Sequence, residues 1–229
     1  MKLDFNLNLY DFLGYIIPGI LTAWAAQVLI VDVLRLPVGL TFGGSATETA
    51  FFVVASFIVG HLVQGVAELL EPVLLNPRVK TGDGWRRMFP SERFRLEDDL
   101  HFSKDFKEAF EQKAATLFRL PVGAREAFDL AYAYIITHGY GAHTELFNAI
   151  YGMSRGLLLA TLLGAGVYII QVVDAVTIHD NAEVAKEAAV FAILLCVGSV
   201  LAFSRARRFS RRFADSVYRA FLAVPGPES

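Results

Sequence analysis

Residues 12–31 read FLGYIIPGILTAWAAQVLIV, an uncharged run of 20 from Phe12 to Val31. A helix of that length rises about 30 Å, which matches the hydrocarbon thickness of a bilayer. Three similar runs follow: Thr49–Ala67 with 19 residues, and Leu157–Val173 and Ala188–Ser204 with 17 each. Hydrophobic residues make up 55% of the chain and charged residues 19%, with mean hydropathy +0.45, a balance shifted from soluble domains toward membrane proteins. The grouping decides the fold class. We expect an all-α protein, a four-helix transmembrane bundle with a cytoplasmic helical insert between spans 2 and 3. Residues 1–75 and 151–229 form two transmembrane hairpins around an insert at 76–150. Ala23-Trp24-Ala25 resembles a cleavage site, but Asp4 and Asp11 spoil the positive region that should precede it, so the first run reads as a retained helix.

Orientation follows from the basic residues. The loops 32–48 and 174–187 hold only Arg35 and Lys186, and every other Lys and Arg lies in the N-terminus, the 68–156 segment or the tail. By the positive-inside rule both termini and the insert face the cytoplasm, in a cell inner membrane. Arg205, Arg207, Arg208, Arg211 and Arg212 follow the fourth span directly and form its membrane-surface anchor.

Within the insert, residues 76–84 form a linker with Pro77, Gly82 and Gly84, and 85–99 are charged and mixed in sign. Ser103 can cap a helix to about Phe118, and Pro121 opens a second that ends at Gly139. Two amphipathic helices make too small a core alone, so we expect them to dock on extensions of the membrane helices. Thr144 can start a helix running into the third span. Past the fourth, Phe209, Phe213, Val217 and Phe221 are spaced by four with arginines opposite, a face that lies on anionic lipid or covers the insert. Leu3, Phe5, Leu7 and Leu9 alternate with polar residues, an extended lead-in, and Asp11 or Asn8 caps the first helix.

His61, Gln64, Glu68 and Glu71 are spaced three, four and three on the second span, a polar transmembrane stripe on one helix face. Such groups are costly in hydrocarbon and turn to a bundle interior or a wet cavity. They line a conduit, or they bond to neighbouring helices with Glu68 and Glu71 pairing with Arg155; the sequence leaves both open. Gly152, Gly156, Ala160 and Gly164 form a small-residue stripe for helix packing, within one chain or between copies. Gly14, Pro18 and Gly19 weaken or kink the first span. Histidines 101, 138 and 143 with His61 have no metal-ligand spacing, no phosphate loop is apparent, and no cofactor or metal is expected. Ser154 between Gly152 and Gly156 lacks the strand-to-helix turn of a nucleophile elbow. Arg86, Arg87, Arg93 and Arg95 read as a solvated loop, and nothing points to nucleic acid. Cys196, the one cysteine, reads as a small packing residue.

The stretch Asp11-Phe12-Leu13-Gly14-Tyr15-Ile16-Ile17-Pro18-Gly19, with Gly60-His61-Leu62-Val63-Gln64, resembles a pattern in bacterial multi-span membrane proteins, among them membrane components of anti-phage defence systems. The resemblance covers about two dozen residues and carries no functional residue over. It implies a cytoplasmic domain that receives a signal and spans that perturb the membrane. The expected function is therefore a non-enzymatic, homo-oligomeric membrane protein whose partners are the bilayer and a cytoplasmic protein or signal, and whose spans form or gate a pathway. An anchor or scaffold for a soluble partner is the alternative, and a lipid-modifying enzyme using His61 and Glu68 a third.

The orientation is open to direct test. Cysteines at Thr41 and Asn181 should react with an impermeant maleimide applied to intact spheroplasts, and cysteines at Gln112 and Ser216 should not. Labelling of the second pair reverses the topology.

Overall fold

The computed structural model describes residues 9–36, 45–75, 102–121 and 126–225, leaving out the side chains of 9–13 and 72–75. The alternating lead-in up to Asn8, the Asp11 side chain, the linker and mixed segment at 76–99, and His101 lie outside the described residues. All described elements are helices: α1 (Leu9–Gln27) with a π-helical turn (Val28–Val33), α2 (Ala46–Leu75), α3 (Lys104–Phe118), α4 (Ala127–Thr137), α5 (Ala142–Thr177) and α6 (Ala182–Ala223). Among the described residues, four segments are long and apolar enough to cross a membrane: Gly14–Val33, Ala46–Glu71, Ala142–Thr177 and Ala182–Ala223. The protein is an all-α, four-helix transmembrane bundle with a helical insert between its second and third spans.

The two apolar runs of 17 residues lie within helices of 36 and 42 residues. The cause is in the sequence, which has no proline between Pro121 and Pro225, so nothing removes a donor from either ladder. The turn between α5 and α6 is made by Asp180 in the left-handed region (φ 48°) and Asn181, whose Oδ1 accepts from the Val184 amide at 3.3 Å.

The chain divides into two units, Met1–Leu75 with Gly152–Ala206, and Asn76–Tyr151 with Arg207–Ser229. In the first, α1 and α2 approach backbone to backbone. A Cβ on Gly19 would overlap the Ser56 carbonyl, and one on Gly60 would overlap the Tyr15 carbonyl. Only glycine allows this approach, and the gain is dispersion over two close surfaces where lipid supplies no hydrophobic drive. Elsewhere Val63, Ala67, Leu159 and Ala160 form one buried cluster, and Val28, Tyr168, Ala188 and Ala192 another. Trp24 meets the edges of Tyr168 and Phe191, themselves stacked at 5.2 Å. The Ser199 and Thr161 hydroxyls are 2.9 Å apart and tie α6 to α5. Past the π-turn, Arg35 (φ 54°) donates to His179 Nε2, and Asp174 lies 3.7 Å from Arg35 and 3.6 Å from His179. Cys196 is exposed on α6 and does not pack in the core, which corrects the expectation for it.

The second unit has an aromatic core. Phe110 and Ala114 of α3, Ala131 and Ile135 of α4, and Phe213, Val217, Tyr218 and Phe221 of α6 are buried together. The end of α6 thus covers the two insert helices. Burial raises the Tyr218 phenol well above its usual pKa. Ser103 caps α3, accepting from the Phe106 amide at 3.2 Å, and Arg119 ends it in the left-handed region. Pro121 itself is not helical, and the next helix is described from Ala127. Gly139, at φ 78°, follows α4. Lys113 donates to the carbonyls of Phe221 at 2.7 Å and Leu222 at 3.2 Å, and to that of Val224. It satisfies acceptors that α6 leaves open at its end, and burial lowers its pKa.

The α1–α2 approach predicts unequal responses to one added methyl. Gly19→Ala and Gly60→Ala should each destabilise the detergent-solubilised chain by about 1–3 kcal/mol, the range for overpacking. At Gly65 a Cβ has open space, so Gly65→Ala should melt like the parent. Three equal melting temperatures would show that these backbones are not in contact.

Candidate functional site

The polar residues of α2 divide by a simple rule. Residues seven apart on an α-helix point in nearly the same direction. His61 and Glu68 therefore share one line, and Gln64 and Glu71 share another. The first pair is exposed, Gln64 is half-buried and Glu71 is buried.

Gln64 answers a need created by Pro18. Proline has no N–H, so the carbonyl four residues before it loses its helical donor. In α1 that carbonyl belongs to Gly14, and Pro18 is fully buried within the helix. Gln64 Nε2 donates to the Gly14 carbonyl at 2.9 Å and to the Gly152 carbonyl of α5, also at 2.9 Å. One primary amide has two hydrogens, and both are used. Gly156 makes room, because a Cβ there would overlap the Gln64 amide. Gln64 Oε1 is buried with no hydrogen-bond partner among the described residues.

About two turns along α2, Arg155 Nη1 donates to Glu71 Oε2 at 2.5 Å, and Nη2 lies 3.8 Å from Glu68 Oε2. Arg155 and Glu71 are 8% and 9% exposed, so this is a buried pair whose disruption leaves an uncompensated charge. Glu68 is its wetter member.

His61 makes ring contacts. It stacks on Tyr15 with centroids 3.9 Å apart and meets Phe57 edge-on at 4.5 Å, and it remains exposed. The packing stripe lies within the chain at three positions. Gly156 receives the Gln64 amide, Ala160 is fully buried beside Val63 and Ala67, and a Cβ on Gly164 would sit 3.1 Å from Leu195 Cδ1. Gly152 contributes its carbonyl, and its Cα faces open space. Arg205, Arg207, Arg208, Arg211 and Arg212 are all exposed. His138 Nδ1 lies 2.8 Å from the Tyr134 carbonyl, and among the described residues no three His, Cys, Asp or Glu side chains converge as metal ligands would.

Two features escaped the sequence reading. The Pro18–Gly14–Gln64 connection was available in principle, since every helical proline orphans a known carbonyl and a polar residue on another span is its natural donor. The Gly19–Gly60 approach carried no such signal, because glycines on separate spans show no register.

No protein-family model, no curated protein and no solved structure matches the chain.

The Gln64 arrangement predicts a measurable coupling. Gln64→Leu should destabilise the chain by about 1–3 kcal/mol, the cost of leaving a buried acceptor unsatisfied. In a Pro18→Ala background the amide at position 18 can serve the Gly14 carbonyl, so the same change should cost less. A double-mutant cycle by thermal or denaturant unfolding reads the difference. A coupling indistinguishable from zero would mean that the Gly14 carbonyl does not need Gln64.

Proposed function

We propose that the protein is a non-enzymatic subunit of a homo-oligomeric inner-membrane assembly whose spans form or gate a pathway. Both termini and the insert lie in the cytoplasm, where the inserted helices receive a protein partner or signal. One observation carries this reading: His61 stands on the exposed side of a span in line with Glu68, which is exposed while lying 3.8 Å from Arg155, whereas Gln64 and Glu71 are engaged inside the bundle. A charge at mid-bilayer costs about 2.5–3.5 kcal/mol on the insertion scale. A neutral His61 lowers that cost, and association with further copies removes more of it by giving the outer line protein or water to face. On this reading the pathway runs along α2 between copies, and not through one bundle.

His61 and Glu68 are two turns apart, about 10 Å along the helix axis. That is beyond hydrogen-bond reach, which favours a non-enzymatic role over lipid modification. The resemblance to anti-phage membrane components falls on Gly14, Pro18, Gly19, Gly60 and Gln64, residues that join the spans, and supports a defence effector of that architecture. The anchor reading draws on the self-contained aromatic core of the insert unit.

Membrane potential and protein abundance, measured together on expression, test the proposal. His61→Leu should leave abundance within about twofold and abolish depolarisation, since it removes a polar group from an exposed position without adding bulk. Full depolarisation at normal abundance rejects a pathway role for His61. A parent chain that assembles without depolarising the membrane favours the anchor.

A further inference from the structure

The first and third spans meet in one ionic contact at the ends that carry the short loops. Arg35 and His179 each lie two residues past an apolar segment, Gly14–Val33 and Ala142–Thr177. Both belong to the unit formed by Met1–Leu75 with Gly152–Ala206. Arg35 Nη2 donates to His179 Nε2, and Asp174 Oδ2 lies 3.7 Å from Arg35 and 3.6 Å from His179.

The backbone holds the two sides of this contact unequally. His179 sits in a turn closed by the Ile178 amide on the Asp174 carbonyl at 2.9 Å, and by the Asn181 amide on the Ala175 carbonyl at 3.0 Å. Arg35 instead follows the π-helical turn Val28–Val33 and is itself left-handed at φ 54°. The Leu34 amide reaches the Leu29 carbonyl and the Leu36 amide the Ile30 carbonyl, wider steps than the α-helical ladder. Such conformations persist only where surrounding contacts hold them. The Arg35 side chain supplies one.

That contact requires one protonation state. A guanidinium only donates, so Nε2 must offer its lone pair and the ring proton sits on Nδ1. A proton taken up at Nε2 turns the acceptor into a donor and sets an imidazolium against a guanidinium. Both cations approach the same carboxylate oxygen, so the imidazolium competes with Arg35 for Asp174 Oδ2. The other charged side chains flanking these loops are Asp32, Glu48, Asp180, Glu183, Lys186 and Glu187, and residues 37–44 carry no ionisable side chain. Lys186 pairs with Glu183 at 2.8 Å, and Glu48 Oε2 accepts from the Ser45 amide at 3.2 Å. Among the described residues, Arg35 is therefore the cation that meets His179.

We propose that His179 is a proton-operated latch on the end of the first span: neutral, it holds Arg35 and the π-turn, and protonated, it releases both. Imidazole is the side chain that changes charge between about pH 5 and 8, and that of His179 is 32% exposed, open to protons from the medium. In the orientation proposed above, this end faces away from the cytoplasm and the latch reads external acidity.

Hydrogen–deuterium exchange of the full chain in detergent tests the latch. Both ends of the protein then meet one pH, so the result does not depend on the orientation or on any pathway. Protection factors, corrected for the intrinsic effect of pH, are compared between about pH 7.5 and about pH 5. Protection of the amides of 28–36 should fall about threefold in acid, the scale of one partly exposed ionic contact, while that of 157–168 stays constant. His179→Gln keeps an acceptor for Arg35 and does not titrate, so its 28–36 segment should stay protected at both pH values. His179→Ala should match the acid state of the parent at both. Equal protection of the parent at the two pH values overturns the proposal, and an equal loss over both segments overturns it in favour of global acid unfolding. An acid loss in H179Q as large as the parent's assigns the titration to another group and also overturns it. Should H179Q not fold, H179A decides: protection equal to the parent's at neutral pH rejects the latch, and a lowered, pH-independent value upholds it.

Discussion

The bundle depends on one acceptor that its own helix cannot satisfy. A proline inside a span frees the carbonyl four residues earlier, and hydrocarbon provides no water to bond it. In α1 this is Gly14, and the donor comes from another span, the side-chain amide of Gln64. Since that amide also donates to the Gly152 carbonyl, the repair of one helix fixes the positions of three. Small residues follow from the same constraint: Gly156 leaves space for the amide, and Gly19 and Gly60 let α2 come close enough to deliver it. Proline, glycines and glutamine thus form one device.

The same device separates buried from exposed polarity on α2, with Glu68 exposed and still 3.8 Å from Arg155. Gln64 and Glu71 face the bundle and are occupied by backbone carbonyls and by Arg155. His61 and Glu68, one line around, are exposed, with His61 held between aromatic rings. A helix that packs polar groups inside and presents others outside is suited to meeting a further copy or a wet seam. The proposed function rests on that geometry.

The insert unit solves a different problem. Helices α3 and α4 are short, and neither buries enough surface for an independent core. Their aromatic and aliphatic faces close on Phe213, Val217, Tyr218 and Phe221 of α6, whose membrane-crossing run belongs to the other unit. Lys113 then bonds the last carbonyls of that helix, joining its end to α3. Burial of Phe213 and Val217 on one side leaves the arginines on the other. The two roles expected of the tail, covering the insert and carrying a basic surface, are therefore compatible on one helix.

Much of this was legible in the chain itself. Span number and fold class follow from the apolar runs, because length and lack of charge are the terms a bilayer selects on. Ser103 announced the start of α3, and the absence of proline between Pro121 and Pro225 allowed α5 and α6 to run long. The partner of each polar group was not legible. Helical spacing places His61, Gln64, Glu68 and Glu71 on one broad face, but which of them turns inward depends on where α1 and α5 lie. Only the tertiary structure decided that Gln64 reaches Gly14 and Gly152, that Glu71 is the buried partner of Arg155, and that His61 faces out. The physical reason is that spacing along one helix fixes angles about its axis, whereas burial and pairing are fixed by the helices packed against it.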